Sequence, residues 1–135
     1  MPSIFTRIIN GEIPCYKIAE DENYFAFLDI SPLVKGHTLV VPKQETDYIF
    51  DLNDDVYKGL WSFAKKVGKG IEQAVPCKRI GITVIGLEVP HAHIHLIPIN
   101  RMADMNFANP KLSPSKDEME ATAAAIRAAL PPIIM

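Results

Sequence analysis

Pro90-His91-Ala92-His93-Ile94-His95-Leu96-Ile97-Pro98 is the stretch on which the reading of this chain turns. In an extended strand successive side chains point to opposite faces, so His91, His93 and His95 share one face and Ala92, Ile94 and Leu96 the other. Neighbouring imidazoles then stand roughly 6.6 Å apart, the span of a phosphorus with its attacking and departing atoms. A helix would rotate alternate residues by about 200° and scatter the rings. Ile94 is β-branched and prolines bound the run, both in keeping with a strand. Three of the four histidines in the chain fall within these five positions. A lone histidine is commonly a hydrogen-bonded structural residue, but three at period two opposite an apolar face mark a site. The competing reading is a metal, since two histidines two residues apart can chelate zinc. A catalytic zinc wants a third protein ligand aimed at the same point, and the rings of His91 and His95 lie too far apart to share one ion. The expectation is therefore no metal.

Working outward, Lys78 to Ile85 reads as a fourth strand, Gly86-Leu87 as a tight turn, and Glu88 to Ile99 as the fifth strand, which carries the histidines. Upstream, Val56, Leu60, Phe63, Ala64, Val67, Ile71 and Val75 recur at three- and four-residue steps. That period predicts a core-facing helix from Asn53 or Asp54 to Val75. Lys58, Lys65, Lys66, Lys69 and Glu72 fill its solvated face. Gly68 and Gly70 weaken its end by about 1 kcal/mol each relative to alanine, and Pro76 closes it. His37 to Pro42 is largely apolar and reads as a central third strand. Tyr16–Glu20 and Tyr24–Leu28 form a hairpin about Asp21-Glu22-Asn23. Ser3 caps a short helix with Ile4, Phe5, Ile8 and Ile9 on one side, stopped by Asn10-Gly11 and Pro14. After Asn100 comes a loop, then a helix begun at Ser113-Pro114 or by a capping box of Ser115 with Glu118. Its Ala-rich run from Glu120 to Leu130 ends at Pro131-Pro132. The order predicts an α+β fold, with a five-stranded, mostly antiparallel sheet, one long helix, a short N-terminal helix and a C-terminal helix. Residues 1–135 read as a single domain.

Apolar content of 48% and charged content of 22% over 135 residues fit one soluble domain with a real core. A net charge of −2 argues against a nucleic-acid polymer as partner but leaves small phosphorylated ligands open. Cys15 and Cys77 form no metal-type spacing. The first residues lack the long apolar core of a secretory leader, and no run approaches membrane-spanning length. A cytoplasmic protein with no membrane partner is expected.

No glycine cluster links a strand to a helix start and no serine sits in a nucleophile elbow, so any catalysis rests on imidazole. A neutral imidazole attacks phosphorus when one nitrogen is pinned as a donor and the other keeps its lone pair. Crowded histidines also repel a second positive charge, which keeps at least one neutral. His93, with an imidazole on either side, is the natural nucleophile. This predicts double displacement through a phosphoramidate at His93, resolved by water.

The run His91-Ala92-His93-Ile94-His95-Leu96-Ile97 resembles the signature of the histidine-triad (HIT) superfamily. Ile4-Phe5-Thr6-Arg7-Ile8-Ile9-Asn10-Gly11-Glu12-Ile13-Pro14 is similar to that family's opening helix. Phe27-Leu28-Asp29-Ile30-Ser31-Pro32 and Gly36-His37-Thr38-Leu39-Val40-Val41-Pro42-Lys43 match in order and spacing. The likeness covers residues 3–99, is nearest to the Hint-like nucleotide-binding branch, and leaves 100–135 as a C-terminal extension with a helix. It implies a nucleotide phosphoramidase or nucleotidyl hydrolase that releases a nucleoside monophosphate, typically AMP, from phosphoramidate or phosphoanhydride bonds. It implies His93 as nucleophile with its tautomer fixed by the carbonyl of His91, His95 on the phosphate, and His37 completing the network. Asp29 would accept from ribose hydroxyls, and Ile4, Phe5, Ile8, Phe27 and Ile30 would wall a purine base. It also implies a homodimer paired through the long helix, and no cofactor. Read from the residues alone, Asp29 before Ser31-Pro32 could start a turn, His37 could cap a strand end, and the apolar set could be plain core.

Three departures bear on this. Glu88 replaces the family's hydroxyl three residues before the first histidine, and a carboxylate there repels phosphate unless a proton or a cationic substrate group intervenes. The expectation is that Glu88 contacts the leaving group and favours basic ones. The Gly-rich loop and Asn ahead of it are replaced by the tighter Val84-Ile85-Gly86-Leu87. The cysteine and extra histidine ligands of the zinc-bearing branch are absent, with Ser3 and Thr6 in the opening helix and Gln44-Glu45 after Lys43, so no structural zinc is expected. The alternative these departures raise is a weakly active or inactive nucleotide-binding regulatory module.

Overall fold

The computed structural model describes residues 2–131. Its five strands are β1 (Lys17–Glu20), β2 (Tyr24–Leu28), β3 (Thr38–Pro42), β4 (Arg79–Thr83) and β5 (Ile94–Ile99). They form one sheet in the order β1-β2-β3-β5-β4, and every neighbouring pair is antiparallel. The three α-helices are α1 (Ile4–Ile9), α2 (Asp54–Ala74) and α3 (Lys116–Ala129). The predicted α+β architecture stands, and β3 is the central strand. Among the described residues no helix is long and apolar enough to cross a membrane.

Both faces of the sheet are covered, which explains why β2 and β3 are buried at every position. Tyr24, Ala26, Leu28, Val40, Ile94 and Leu96 point to one face and pack beneath α2 and α3. Phe25, Phe27, Leu39 and Val41 point to the other, where Phe5, Ile8 and Ile9 of α1 close over them. A strand buried on both faces loses its polar alternation. The period-two rule still assigns each side chain its core, and it sends His95 to the α1 side.

The helix signals are met at their caps. Ser3 Oγ accepts from Thr6 N–H, and the Asn53 side chain accepts from Val56 N–H. Ser115 with Glu118 forms the capping box that starts α3, rather than Ser113-Pro114. The Met119, Thr122, Ala123 and Ile126 face of α3 packs onto the body, and Arg127 donates to the Lys17 carbonyl at 2.6 Å. Pro131 follows the end of α3, and Pro132 lies outside the described residues. Gly59 lies inside α2 where an added Cβ would displace the Tyr24 hydroxyl, which donates to the Val56 carbonyl.

The histidine-bearing strand is shorter than its sequence suggests. β5 begins at Ile94, not Glu88, so His91 and His93 precede it, and β4 ends at Thr83, not Ile85. No tight turn joins the two strands; residues 84–93 make a long irregular connection, with Gly86 at φ +74°. The cause lies in two prolines. The β3–β5 ladder stops at Val40↔Ile94, just short of Pro42, which has no N–H to give, and Pro90 lacks one on the other side. The backbone bonds of the approach segment go elsewhere: His91 N–H to the Val89 carbonyl at 2.8 Å and Ala92 N–H to the Thr46 carbonyl at 2.6 Å.

Candidate active site

The three histidines still lie on the α1 side, but they do not form the evenly spaced row expected of a straight strand. The His93 and His95 ring centroids are 4.9 Å apart, closer than the pleat would place them. The other aromatic neighbour of His93 is Phe5, edge-to-face at 4.9 Å, so a phenyl ring stands where an imidazole was expected. His91 is fully buried and faces away from the row. Its Nε2 lies 2.7 Å from the Pro42 carbonyl and its Nδ1 2.7 Å from Ser3 Oγ. The carbonyl that Pro42 withholds from the ladder is the one that this ring takes.

His37 and Asp29 come to the site from the β2–β3 connection. Asp29 N–H donates to the His37 carbonyl at 3.0 Å, and Ser31 N–H donates to Asp29 Oδ1 at 2.9 Å. Gly36, at φ +91°, makes the turn into β3, and a Cβ there would press on Val75 and Pro98 at 3.0 and 3.1 Å. The chain thus delivers His37 beneath the row, its Nε2 3.0 Å from His95 Nδ1 and 3.7 Å from Asp29 Oδ2.

Fixed backbone partners determine which nitrogen carries each proton. Leu33 N–H donates to His37 Nδ1 at 3.1 Å, so the neutral ring carries its hydrogen on Nε2 and gives it to His95 Nδ1. His95 is then left with a hydrogen on Nε2, a donor. His93 Nδ1 lies 2.8 Å from the His91 carbonyl, which can only accept. His93 therefore keeps a free lone pair on Nε2. Pro42 imposes an Nε2 hydrogen on His91 in the same way, and Ser3 Oγ donates to its Nδ1.

Burial keeps these rings neutral. It holds His37 down at about 4, assisted by the charges of Lys111 and His93. It holds His95 at about 3, assisted by His93 and His37. His93 and His91 are also lowered by burial, opposed by the carbonyls of His91 and Pro42 respectively. Asp29 is raised by burial, against the Ser31 hydrogen bond and the pull of His93 and Lys111. At neutral pH the site therefore presents uncharged imidazoles, one a Lewis base and one a hydrogen-bond donor.

A cavity of about 450 Å³ opens over them, lined by His37, His93 and His95 together with Ile4, Phe5, Asp29 and Glu88. Of the remaining residues singled out from the sequence, Phe27 and Ile8 pack behind Phe5 in the core. Ile30 is 70% exposed beside Asp29 and does not line the cavity. Phe107 and Lys111 were missed. Phe107 sets its edge against His95 at 5.0 Å and His37 at 6.1 Å, forming a wall opposite Phe5. Lys111 Nζ donates to the Phe107 carbonyl at 2.6 Å, and Leu112 N–H ties the loop to the Pro32 carbonyl. A loop that returns by tertiary contacts leaves no periodic trace in sequence.

Ser3, read from the sequence as a helix cap, and Thr6 and Glu45, read there only as standing where zinc ligands are absent, form a cluster beside His91. Glu45 Oε1 accepts from Ser3 N–H at 2.7 Å and from Thr6 Oγ1 at 2.6 Å, and these bonds hold its carboxyl below the usual range. Elsewhere, Asp29, His37 and His95 bring donor atoms within 4.8 Å of one another. That trio does not suit a metal ion. His37 Nδ1 is occupied by Leu33 N–H, so its Nε2 carries a hydrogen and offers no lone pair.

The HIT domain profile matches residues 10–102. The chain is 39% identical over 100 residues to adenosine 5'-monophosphoramidase of Schizosaccharomyces pombe, covering 73% of this chain and 74% of that protein. It is 44% identical over 105 residues to an uncharacterised HIT-like protein of Methanocaldococcus jannaschii, covering 70% and 77%. Among solved structures, a HIT-like protein of Bartonella henselae involved in cell-cycle regulation superposes with a TM-score of 0.82 at 28% identity, covering 95% of this chain and 96% of that one.

Proposed function

This chain belongs to the HIT domain family, and on that premise we propose that it is a nucleotide phosphoramidase, a hydrolase that releases a nucleoside monophosphate, AMP in the first place, through a nucleotidyl-His93 intermediate. The observation that carries this reading is the tautomer pair: a free Nε2 lone pair on His93 beside an Nε2–H donor on His95, at the floor of one cavity. His93 Nε2 attacks phosphorus, the bond from phosphorus to the leaving group breaks, and the leaving group takes a proton from solvent. The imidazolium that forms keeps its Nδ1 hydrogen on the His91 carbonyl, which favours the charged ring in the otherwise apolar surroundings. Water then attacks the same phosphorus, the P–N bond to His93 breaks, and the lone pair returns to Nε2 as the water releases its proton. His95 donates to a non-bridging oxygen throughout, in the manner of an oxyanion donor. Its own polarity is set by His37, and that of His37 by Leu33 N–H.

Asp29, half-buried beside the row, suits ribose hydroxyls as an acceptor, and Ile4 and Phe5 offer an apolar wall for the base. Glu88 lies on the cavity rim, and its charge raises the affinity of His93 for a proton. With neutral imidazoles, the ionised residues lining the cavity are Asp29, Glu88 and Lys111. A phosphate with a cationic leaving group therefore meets less repulsion than one with an anionic leaving group.

A homodimer fits the β4 side of the molecule, next to the cavity, with which its groove shares Ile85 and Gly86. β4 is an edge strand, and beside it Phe50, Ile82 and Trp61 line an apolar groove. Trp61 Nε1 is buried with no partner among the described residues. Unpaired strand edges and clustered apolar surface are what a second copy would cover.

The intermediate is tested by single-turnover quench with labelled adenosine 5'-phosphoramidate. An acid-labile, base-stable protein adduct is expected, and it must vanish in His93→Asn. Tight AMP binding with no adduct and no turnover would favour the regulatory-module reading instead.

A further inference from the structure

The backbone carbonyl that fixes the tautomer of His93 belongs to the peptide unit joining His91 to Ala92. The N–H of that same unit is Ala92 N–H, which donates to the Thr46 carbonyl at 2.6 Å. A peptide is planar, so the direction of its N–H sets the direction of its C=O. The Thr46 carbonyl thus aims the His91 carbonyl at His93 Nδ1. Thr46 lies outside regular structure, in the segment that follows β3. The residue before it is Glu45, whose carboxylate ties this segment to α1 through Ser3 N–H and Thr6 Oγ1.

We propose that Glu45 is a positioning residue: by pinning the turn after β3 to the opening helix, it holds the Thr46 carbonyl in place and so keeps the His91–Ala92 peptide oriented for His93. Glu45 is exposed and touches neither the cavity nor the reacting atoms, so it acts only through these links. A second branch of the same network converges on the same peptide. Thr6 commits its hydroxyl hydrogen to Glu45, which leaves Ser3 Oγ to donate to His91 Nδ1 and fixes the His91 ring from the side. Without the carboxylate, Thr6 is free to compete for His91 Nδ1, which lies 3.4 Å from its oxygen. If the peptide turns over, an N–H replaces the carbonyl in front of His93 Nδ1. The ring then exchanges its tautomer, and the hydrogen moves onto Nε2, where the lone pair is needed.

This inference gives a new residue a part in the hydrolase reading of the preceding subsection, but its primary readout does not depend on turnover. The ¹⁵N shifts of the His93 ring nitrogens, measured in the full chain at pH 7.5, report the tautomer directly. Wild type should show the Nδ1–H form alone. Glu45→Ala should show a substantial Nε2–H population, and its adduct-forming rate should fall about tenfold, with the KM for the phosphoramidate changing less than threefold, the signature of lost orientation rather than lost binding. Glu45→Gln, whose amide oxygen can accept both hydrogen bonds, should restore the wild-type tautomer. Should Glu45→Ala not fold, Thr6→Val deletes one link and is read by the same shifts. A His93 ring that stays wholly Nδ1–H in a folded Glu45→Ala or Thr6→Val protein would overturn the proposal, whatever happens to thermal stability. A wild type without turnover would sink the hydrolase reading alone, since the tautomer measurement would still decide the role of Glu45.

Discussion

Lowering the pH from 7 to 5 should strip this fold of a large part of its stability, and the buried histidines supply the magnitude. An unfolded histidine titrates near 6.5, whereas burial holds His37 at about 4 and His95 at about 3. For a depressed pKa the unfolded chain binds more protons, so stability is fully present above 6.5 and is lost as pH falls toward the folded value. Between pH 7 and 5 each of these rings costs about 2 kcal/mol, and together they cost about 4 kcal/mol. His91 and His93, also lowered by burial, add in the same direction. Asp29 works in the opposite sense, because burial raises its carboxyl and the folded state takes up the proton more readily. Glu20, Glu45, Asp104 and Glu118 are all lowered, so they remain ionised in the folded state at pH 5 and leave this window to the histidines. Urea unfolding at fixed ionic strength at pH 7, 6 and 5 measures the slope. The loss should approach 4 kcal/mol against a typical total of about 5–15 kcal/mol for a domain. A His95→Asn variant should lose roughly half of the pH dependence, in keeping with one of two rings. Unfolding free energies that agree within 1 kcal/mol at pH 7 and 5 would refute the claim that these rings are neutral because they are buried.

Sedimentation should give a dimer at micromolar concentration, and Ile82→Lys on the edge strand should convert it to monomer; a monomeric wild type would remove the assembly. Comparing an AMP-amine with an AMP-anhydride in wild type and Glu88→Ser tests the rim carboxylate. Glu88→Ser should shift preference toward the anhydride by about tenfold, in line with one unit charge at a partly solvated rim, and an unchanged ratio would dismiss Glu88 from specificity.

Much of the frame was legible because it follows from local periodicity. The three- and four-residue steps from Val56 to Val75 specify α2 to within a residue of its ends, and Asn53 caps it as its chemistry requires. The central place of β3 followed from its unbroken apolar run, which only a doubly covered strand sustains. The site was legible in its membership more than in its geometry. His37, His93, His95, Asp29, Phe5 and Glu88 all meet at one cavity, but the straight strand drawn through the histidines was wrong. Pro42 and Pro90 act at the end of a ladder that only pairing reveals, and a single strand read alone does not show where its partner runs out of donors. Phe107 and the Glu45–Ser3–Thr6 cluster were invisible for a related reason. They join residues far apart in the chain through side chains of no periodic pattern, and hydroxyls in a short helix look like ordinary caps until their partners are in view.

The Ser3–His91 bond closes a span of 88 residues. A helix of six residues has too few turns to hold itself in water, so α1 relies on anchors supplied from elsewhere. On the ribosome the last of those anchors is synthesised about 4 to 18 s after Ser3, at about 5–20 residues per second. For that interval Phe5, Ile8 and Ile9 lack their full cover on the nascent chain, within reach of chaperones and proteases. A segment made 88 residues before its partner is therefore among the last to find its place.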